Sequence, residues 1–130
     1  MKAIHVVAAV IHSPARDRIL IARRPDHLHQ GGLWEFPGGK VDKGEEALAA
    51  LRRELREEIA IAVEEASRMM AVEHRYPDKA VYLDIWEVHR FAGEPRGNEG
   101  QEIAWVAPER LADYAFPEAN RAIVRALIDR

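Results

Sequence analysis

The sequence predicts an α/β protein, a mixed β-sheet sandwiched between helices. Three observations carry that class. Strand and helix patterns follow one another as strands, helix, strands, helix. The strand pattern at residues 80–91 is apolar on both faces, as in a sheet covered on both sides. The helix patterns at 45–59 and 118–129 each carry one apolar stripe with which to cover it.

Residues 3–11 form an apolar run of nine that contains His5 and is soon followed by Asp17 and Arg18, so it is read as a buried strand and not as a signal peptide. Ser13-Pro14 makes a turn into a second strand, Arg18 to Arg23, and the pair is expected to form a hairpin. Residues 25–32 are a polar loop ending in two glycines. Leu33-Trp34-Glu35-Phe36 follows, and Pro37-Gly38-Gly39 is expected to turn the chain. In the 45–59 helix Leu48, Leu51, Leu55 and Ile59 recur at helical spacing. Asp42 is its expected N-cap, and Glu45 and Glu46 suit the positive end of the helix dipole. Residues 69–75 and 80–91 read as strands joined at Pro77-Asp78. In the second, Val81, Leu83, Ile85 and Glu87 point one way, and Tyr82, Asp84, Trp86 and Val88 the other. Residues 92–100 hold three glycines and a proline and read as an irregular loop. Ile103 to Val106 is a short strand, and Pro117 opens the last helix, with Ile123, Val124, Leu127 and Ile128 as its apolar face.

Bulk properties narrow the function. A chain of 130 residues with no repeat and no flexible linker is expected to be a single domain, 1–130. The net charge is −3, without the basic excess of a protein that coats nucleic acid. The absence of cysteine excludes disulfides, zinc–thiolate sites and a cysteine nucleophile, and fits a reducing cytoplasm. No run approaches the ~18 apolar residues of a membrane span.

The chemistry lies on the first helix. Glu54, Glu57 and Glu58 stand at i, i+3 and i+4, within an arc of about 100°. The same arithmetic sets Glu54 and Glu58 beside the leucine stripe. A Glu- and Arg-rich helix is ordinarily a solvated face laced by ion pairs. Like charges so placed nonetheless repel, and a hard dication held by oxygen ligands alone, Mg²⁺ or Mn²⁺, would relieve them. The context before the helix favours the metal. Gly39 is followed by five residues and Glu45, then by seven residues and Arg53-Glu54-Leu55-Arg56-Glu57-Glu58-Ile59-Ala60-Ile61.

That spacing resembles the Nudix box: glycine, five residues, Glu, seven residues, then Arg-Glu-apolar-x-Glu-Glu-x-Gly-apolar. Every fixed position matches but one, since Ala60 stands where the family has a glycine that closes the helix at positive φ. Ala60 is not a ligand position. Residues 33–41, Arg23-Arg24, Tyr76-Pro77-Asp78 and Phe116 to Asn120 are similar to the MutT branch of that family, the 8-oxo-dGTP diphosphatases.

The resemblance implies a Nudix-type α/β/α sandwich around a mixed β-sheet. It implies a Mg²⁺-dependent hydrolase (Mn²⁺ as substitute) that converts 8-oxo-dGTP to 8-oxo-dGMP and pyrophosphate, cleansing the nucleotide pool before DNA replication. It carries metal binding onto Glu54, Glu57, Glu58 and the backbone at Gly38 and Gly39. A loop carboxylate should join them, with Glu99 the best match and Glu102 and Glu94 the alternatives. Glu54 and Glu99 are the candidates for general base, Glu54 ahead, and Arg53 orients a box carboxylate such as Glu45. Nucleotide contacts fall on Arg24, His29, Glu35, Phe36, Pro37, Gly38 and Asn120. The Asn120 amide offers a donor and an acceptor to a purine edge, or else starts the last helix as a backbone cap. Oxidation of guanine at C8 turns N7 into a donor, which a fixed carbonyl at Phe36 would accept. Trp34, Trp86 and Trp105 either stack on a base or pack in the fold. His27-x-His29 is a much weaker metal motif than the carboxylates. The implied partner is a small nucleotide, with no nucleic-acid polymer and no membrane, and the implied state a cytoplasmic monomer. The alternatives are another Nudix substrate, such as a pyrimidine triphosphate, ADP-ribose or a dinucleoside polyphosphate, and a non-catalytic nucleotide-binding module.

Overall fold

The computed structural model describes residues 3–28 and 31–130. Its elements are β1 (Ala3–Ile11), β2 (Ile19–Arg23), β3 (Trp34–Glu35), β4 (Gly38–Lys40), α1 (Ala47–Ile59), β5 (Ala62–Arg75), β6 (Ala80–Ala92), β7 (Ile103–Val106) and α2 (Arg121–Ile128). Four strands form a sheet in the order β4-β1-β6-β5, and three form a second in the order β3-β2-β7. The larger sheet is mixed, because β1 runs parallel to β6 and antiparallel to β4. The smaller is antiparallel throughout.

Period-two alternation along β1 divides the core. Val7, Ala9 and Ile11 pack with Leu51, Leu55 and Ile59 of α1. Ala8 and Val10 pack on the other side with Ile123 and Leu127 of α2. Strand β6 does the same, with Leu83 and Ile85 toward α2 and Trp86 and Val88 toward α1. This is the expected α/β/α sandwich, and the expected two-sided strand lies at its centre.

Several local expectations change. β1 and β2 do not form a hairpin, because β4 and β6 occupy both edges of β1, and a single bridge between His12 and Ile19 remains. The turn there is held by Ser13, whose Oγ accepts from the Asp17 and Arg18 amides at 3.2 and 3.1 Å. Gly38-Gly39 is no turn but strand β4, paired with Ala8 and Val7. A side chain at Gly38 would strike the Val7 carbonyl, so this close pairing needs glycine. Helix α1 starts two residues late, at Ala47, and Asp42 does not cap it. Glu46 is the N-cap, without a side-chain bond, while Asp42 and Glu45 close the preceding turn. β5 starts at Ala62 and not at residue 69, since register shifts at Val63/Glu65, Glu65/Ala66 and Arg68/Met70 break the alternation that would reveal it. The last helix is preceded by a 3₁₀ turn, Glu118–Asn120, and Pro108–Asp113 forms another that the sequence pattern does not reveal.

The box departure has a structural consequence. Ala60 ends α1 in the left-handed region, at φ 62° and ψ 32°. The backbone thus adopts the glycine conformation with an alanine in it, at a cost of about 1 kcal/mol. Ala60→Gly should therefore raise stability by about 1 kcal/mol, or Tm by roughly 3–5 °C, in a thermal melt. An unchanged or lower Tm would show that the Ala60 methyl earns compensating contacts.

Candidate active site

The site is built where β4 meets α1. Glycine at 39 has a direct reason: a Cβ there would lie 2.5 and 2.7 Å from the Glu54 carboxylate oxygens. The bare backbone lets that carboxylate sit against the strand. The neighbouring Gly38 amide donates to Glu58 Oε2 at 3.2 Å. Glu54 is therefore embedded, its side chain 15% exposed, whereas Glu57 is 60% exposed at the open side of the cluster.

Arg53 organises the group. Its Nε and Nη2 donate to the two Glu45 oxygens, both at 2.9 Å, and its Nη1 donates to Glu54 Oε1 at 2.8 Å. Nη2 also donates to the Lys40 carbonyl at 3.1 Å, which ties α1 to β4. The Arg53 hydrogen bonds hold the Glu45 carboxyl down to about 2. The expected pairing of Arg53 with Glu45 is thus present, and the bidentate fork extends it to Glu54.

The remaining carboxylates crowd one another. Burial, then the charges of Glu54 and Glu35, push Glu58 up to about 8 against the pull of the Gly38 amide. Burial also raises Glu35 and Glu54, opposed by Arg24 and Arg53 respectively. Glu99 acts on both Glu35 and Glu58 through its charge, which places it at this cluster. Glu94 instead lines a separate cleft with Ser13, Asp17, Arg18 and Trp105, and Glu99 and Glu102 are both exposed. Glu99 is thus the loop carboxylate whose charge is felt by Glu35 and Glu58.

This donor set fits a divalent ion. It offers only oxygens, its like charges are partly buried, and the bare Gly39 backbone admits the Glu54 carboxylate against the strand. Glu54, Glu57 and Glu58, with Glu99 at the rim, are the groups that could hold it.

A cleft of about 160 Å³ adjoins the cluster on the α2 side, lined by Arg24, Glu35, Tyr76, Lys79, Pro117 and Asn120 among others. Arg24 Nη1 faces Glu35 Oε2 at 3.7 Å. Phe36 is buried and stacks on Phe116 with centroids 5.2 Å apart, so its ring is structural and only its backbone can meet a ligand. Pro37 is buried, and its carbonyl accepts from the Ala9 amide. Asn120 is the N-cap of α2, yet its side chain makes no cap hydrogen bond. The helix-cap role weighed for that amide is therefore absent. His29, which is also the second histidine of His27-x-His29, lies outside the described residues.

The tryptophans pack. Trp34 meets Tyr114 edge to face at 5.2 Å, Trp105 stacks on Phe91 at 6.4 Å, and Trp86 lies under the Arg68 guanidinium at 4.8 Å. Lys79 is a cleft residue that sequence reasoning missed. Its one signal was its place directly after Tyr76-Pro77-Asp78, and its Nζ stands 5.7 Å over the Tyr76 ring.

Sheet order, box geometry and carboxylate cluster together define a Nudix hydrolase, and the chain belongs to that family: the NUDIX domain model matches residues 6–126. Among its relatives, the Escherichia coli 8-oxo-dGTP diphosphatase is 35% identical, over 98% of each chain. The CTP pyrophosphohydrolase of the same organism is 36% identical, over 98% of this chain and 93% of that protein. A solved structure from work on MutT of Aliivibrio salmonicida and Vibrio cholerae shares 43% identity over 98% of both chains, with a TM-score of 0.87. The chain is thus an enzyme of the nucleotide pyrophosphohydrolase type, in a family that generally employs a divalent metal. No helix among the described residues is long and apolar enough to cross a membrane.

Proposed function

We propose that this enzyme hydrolyses 8-oxo-dGTP to 8-oxo-dGMP and pyrophosphate with Mg²⁺, removing the oxidised nucleotide before replication. The observation that carries the choice of base is the Asn120 amide, which caps nothing and lines the cleft beside the carboxylates. An amide presents a donor and an acceptor side by side, the complement of a guanine edge. In our reading the Phe36 carbonyl accepts the N7–H that only the oxidised purine carries, and normal guanine would leave two acceptors facing. A pyrimidine has no such N–H, so this pairing favours the oxidised purine over CTP. Whole-chain likeness does not choose, since the relatives named for the two substrates are equally similar.

In the same reading, Glu54, Glu57, Glu58, Glu99 and the Gly38-Gly39 backbone hold the ion, while Arg24, Glu35, Pro37 and Gly38 frame the nucleotide. A bound dication neutralises phosphate charge and acidifies water. Glu54 is positioned as general base: Arg53 fixes one of its oxygens and leaves the other to accept a proton. His29 remains an expected nucleotide contact. A monomer is supported by the scatter of large exposed apolar side chains, Leu28, Tyr82 and Ile128 among the described residues. A cytoplasmic setting is supported by the absence of cysteine, and the whole chain is read as one domain.

The test is a kcat/KM panel of 8-oxo-dGTP, dGTP, dATP and CTP in Mg²⁺, with Asn120→Ala beside the wild type. We expect 8-oxo-dGTP to lead. Asn120→Ala should cost it about 1–3 kcal/mol of transition-state binding, and dATP less. A lead for CTP, or an equal loss on every nucleotide, would overturn the assignment of the base.

A further inference from the structure

At the far end of the central strands, three metal-ligating side chains that the hydrolase does not use come together. His12 follows the last residue of β1, and Glu87 and His89 stand two apart on β6, so they share a face. The parallel register, which ends at Ile11 opposite Val88, brings His12 beside them. One ligand atom from each lies within 4.8 Å of the others. His12 Nε2 is 3.5 Å from Glu87 Oε1, and His89 Nε2 is 3.9 Å from Glu87 Oε2. Ligands held about 2.0–2.1 Å from a tetrahedral zinc stand about 3.3 Å apart, so small side-chain rotations would complete the set. The two imidazoles are already parallel, at 6° and 5.8 Å between centroids.

Two further features point to a ligand. His12 is 8% exposed, and its Nε2 meets Glu87 Oε1 at 3.5 Å, longer than a good hydrogen bond. Such a buried imidazole nitrogen calls for an explanation. A cleft of about 410 Å³ reaches His12 and His89 from the surface, with Arg16, Arg90 and Glu65 in its walls.

We propose that His12, Glu87 and His89 form a zinc site separate from the magnesium carboxylates. Two imidazoles and one carboxylate are the donors that borderline ions choose, whereas an oxygen-only set suits magnesium. The two sites are well apart. His12 is four residues, about 13 Å, further along β1 than Ala8, the partner of Gly38. Binding has local competitors. Arg130 pairs with Glu87, the Ser67 hydroxyl lies 2.8 Å from His89 Nε2, and Arg16 Nη1 is 3.4 Å from His89 Nδ1. The ion would displace Arg130 and Ser67, and it would staple β1 to β6 where their ladder ends.

The experiment titrates the full chain with Zn²⁺ in excess Mg²⁺ and follows bound metal and Tm. Co²⁺ replaces zinc for an absorption spectrum. One equivalent should bind to the wild type and to the Glu57→Gln/Glu58→Gln double variant, with Tm rising on the order of 5–10 °C. His89→Asn should weaken binding about tenfold or more and lose the cobalt band, with Mg²⁺-dependent hydrolysis unchanged. His12 is buried and its replacement risks the fold, so the half-buried His89 is the decisive position. Arg130→Ala should tighten binding. The site is overturned if the wild type binds no zinc, if His89→Asn binds it as tightly, or if binding disappears in the double variant.

Discussion

Glu58→Gln is expected to lose on the order of 10²–10³-fold or more in kcat, and yet to make the metal-free protein more stable at pH 8. Both effects arise from one arrangement. Burial first, then the neighbouring charges of Glu54 and Glu35, push Glu58 from the ordinary 4.5 up to about 8. A carboxyl raised on folding contributes stability below pH 4.5 and loses it as the pH rises through about 8. At pH 8 and above, the ionised group costs the metal-free fold a few kcal/mol. Glutamine removes that cost and can still accept the Gly38 amide hydrogen bond. In EDTA, the variant should therefore melt about 5–10 °C above wild type at pH 8, and the gap should close toward pH 4.5. Added Mg²⁺ should reverse the order, because only the wild type regains the neutralised cluster. Hydrolysis should rise from neutral to alkaline pH as Glu58 ionises, and full turnover in excess EDTA would refute a metal enzyme. A Glu58→Gln protein less stable than wild type at pH 8 in EDTA would mean that the carboxylate is held by local contacts and not poised for a cation.

What could be read in advance follows the range of the forces involved. The α1 stripe of Leu51, Leu55 and Ile59 and the Glu54/Glu57/Glu58 face are local periodicities, so both the helix and its chemistry were visible. The Arg53–Glu45 pair was legible because both residues belong to one spaced motif. Sheet partners depend on contacts far apart in sequence. Nothing in residues 3–23 announces that β1 rejects β2 and pairs instead with β4 and β6. Gly38-Gly39 looks like a turn because glycine usually is one; its reason here is close packing against Val7 and Glu54, known only once the chain is folded. The charged stretch Glu64-Glu65 and the adjoining bulges hide the start of β5 for the same reason. Lys79 joins Arg24 and Asn120 in one cleft through packing between distant elements, and His12 meets His89 through the β1–β6 ladder. The carboxylates proposed for the reaction sit in a motif, whereas the cleft residues and the His12, Glu87 and His89 group are gathered by topology.

Arg53→Lys should lose about 10–100-fold in kcat with little change in the fold, although it keeps the charge. The guanidinium grips Glu45 with two nitrogens, reaches Glu54 at 2.8 Å and the Lys40 carbonyl at 3.1 Å, and lies 3.6 Å from Glu57. A lysine ammonium is a point charge with three donors and cannot grip Glu45 with two parallel bonds while also reaching Glu54 and the Lys40 carbonyl. It would still neutralise the cluster, so stability should fall little, as expected for a partly exposed ion pair. What fails is direction: Glu54 is no longer pinned against Gly39, and the general base drifts from the ion and the water. Arg53 is thus a positioning residue, and its kinetic signature separates it from a structural one. The Mg²⁺ concentration for half-maximal rate should rise and kcat should fall, while KM for the nucleotide stays near wild type, because Arg24, Asn120 and the cleft are untouched. Glu45→Gln should show a milder form of the same pattern, since it weakens the grip without removing the fork. Wild-type kcat in Arg53→Lys would show that charge alone suffices, and a large fall in Tm would show that Arg53 serves the joint between β4 and α1 and not the alignment of Glu54.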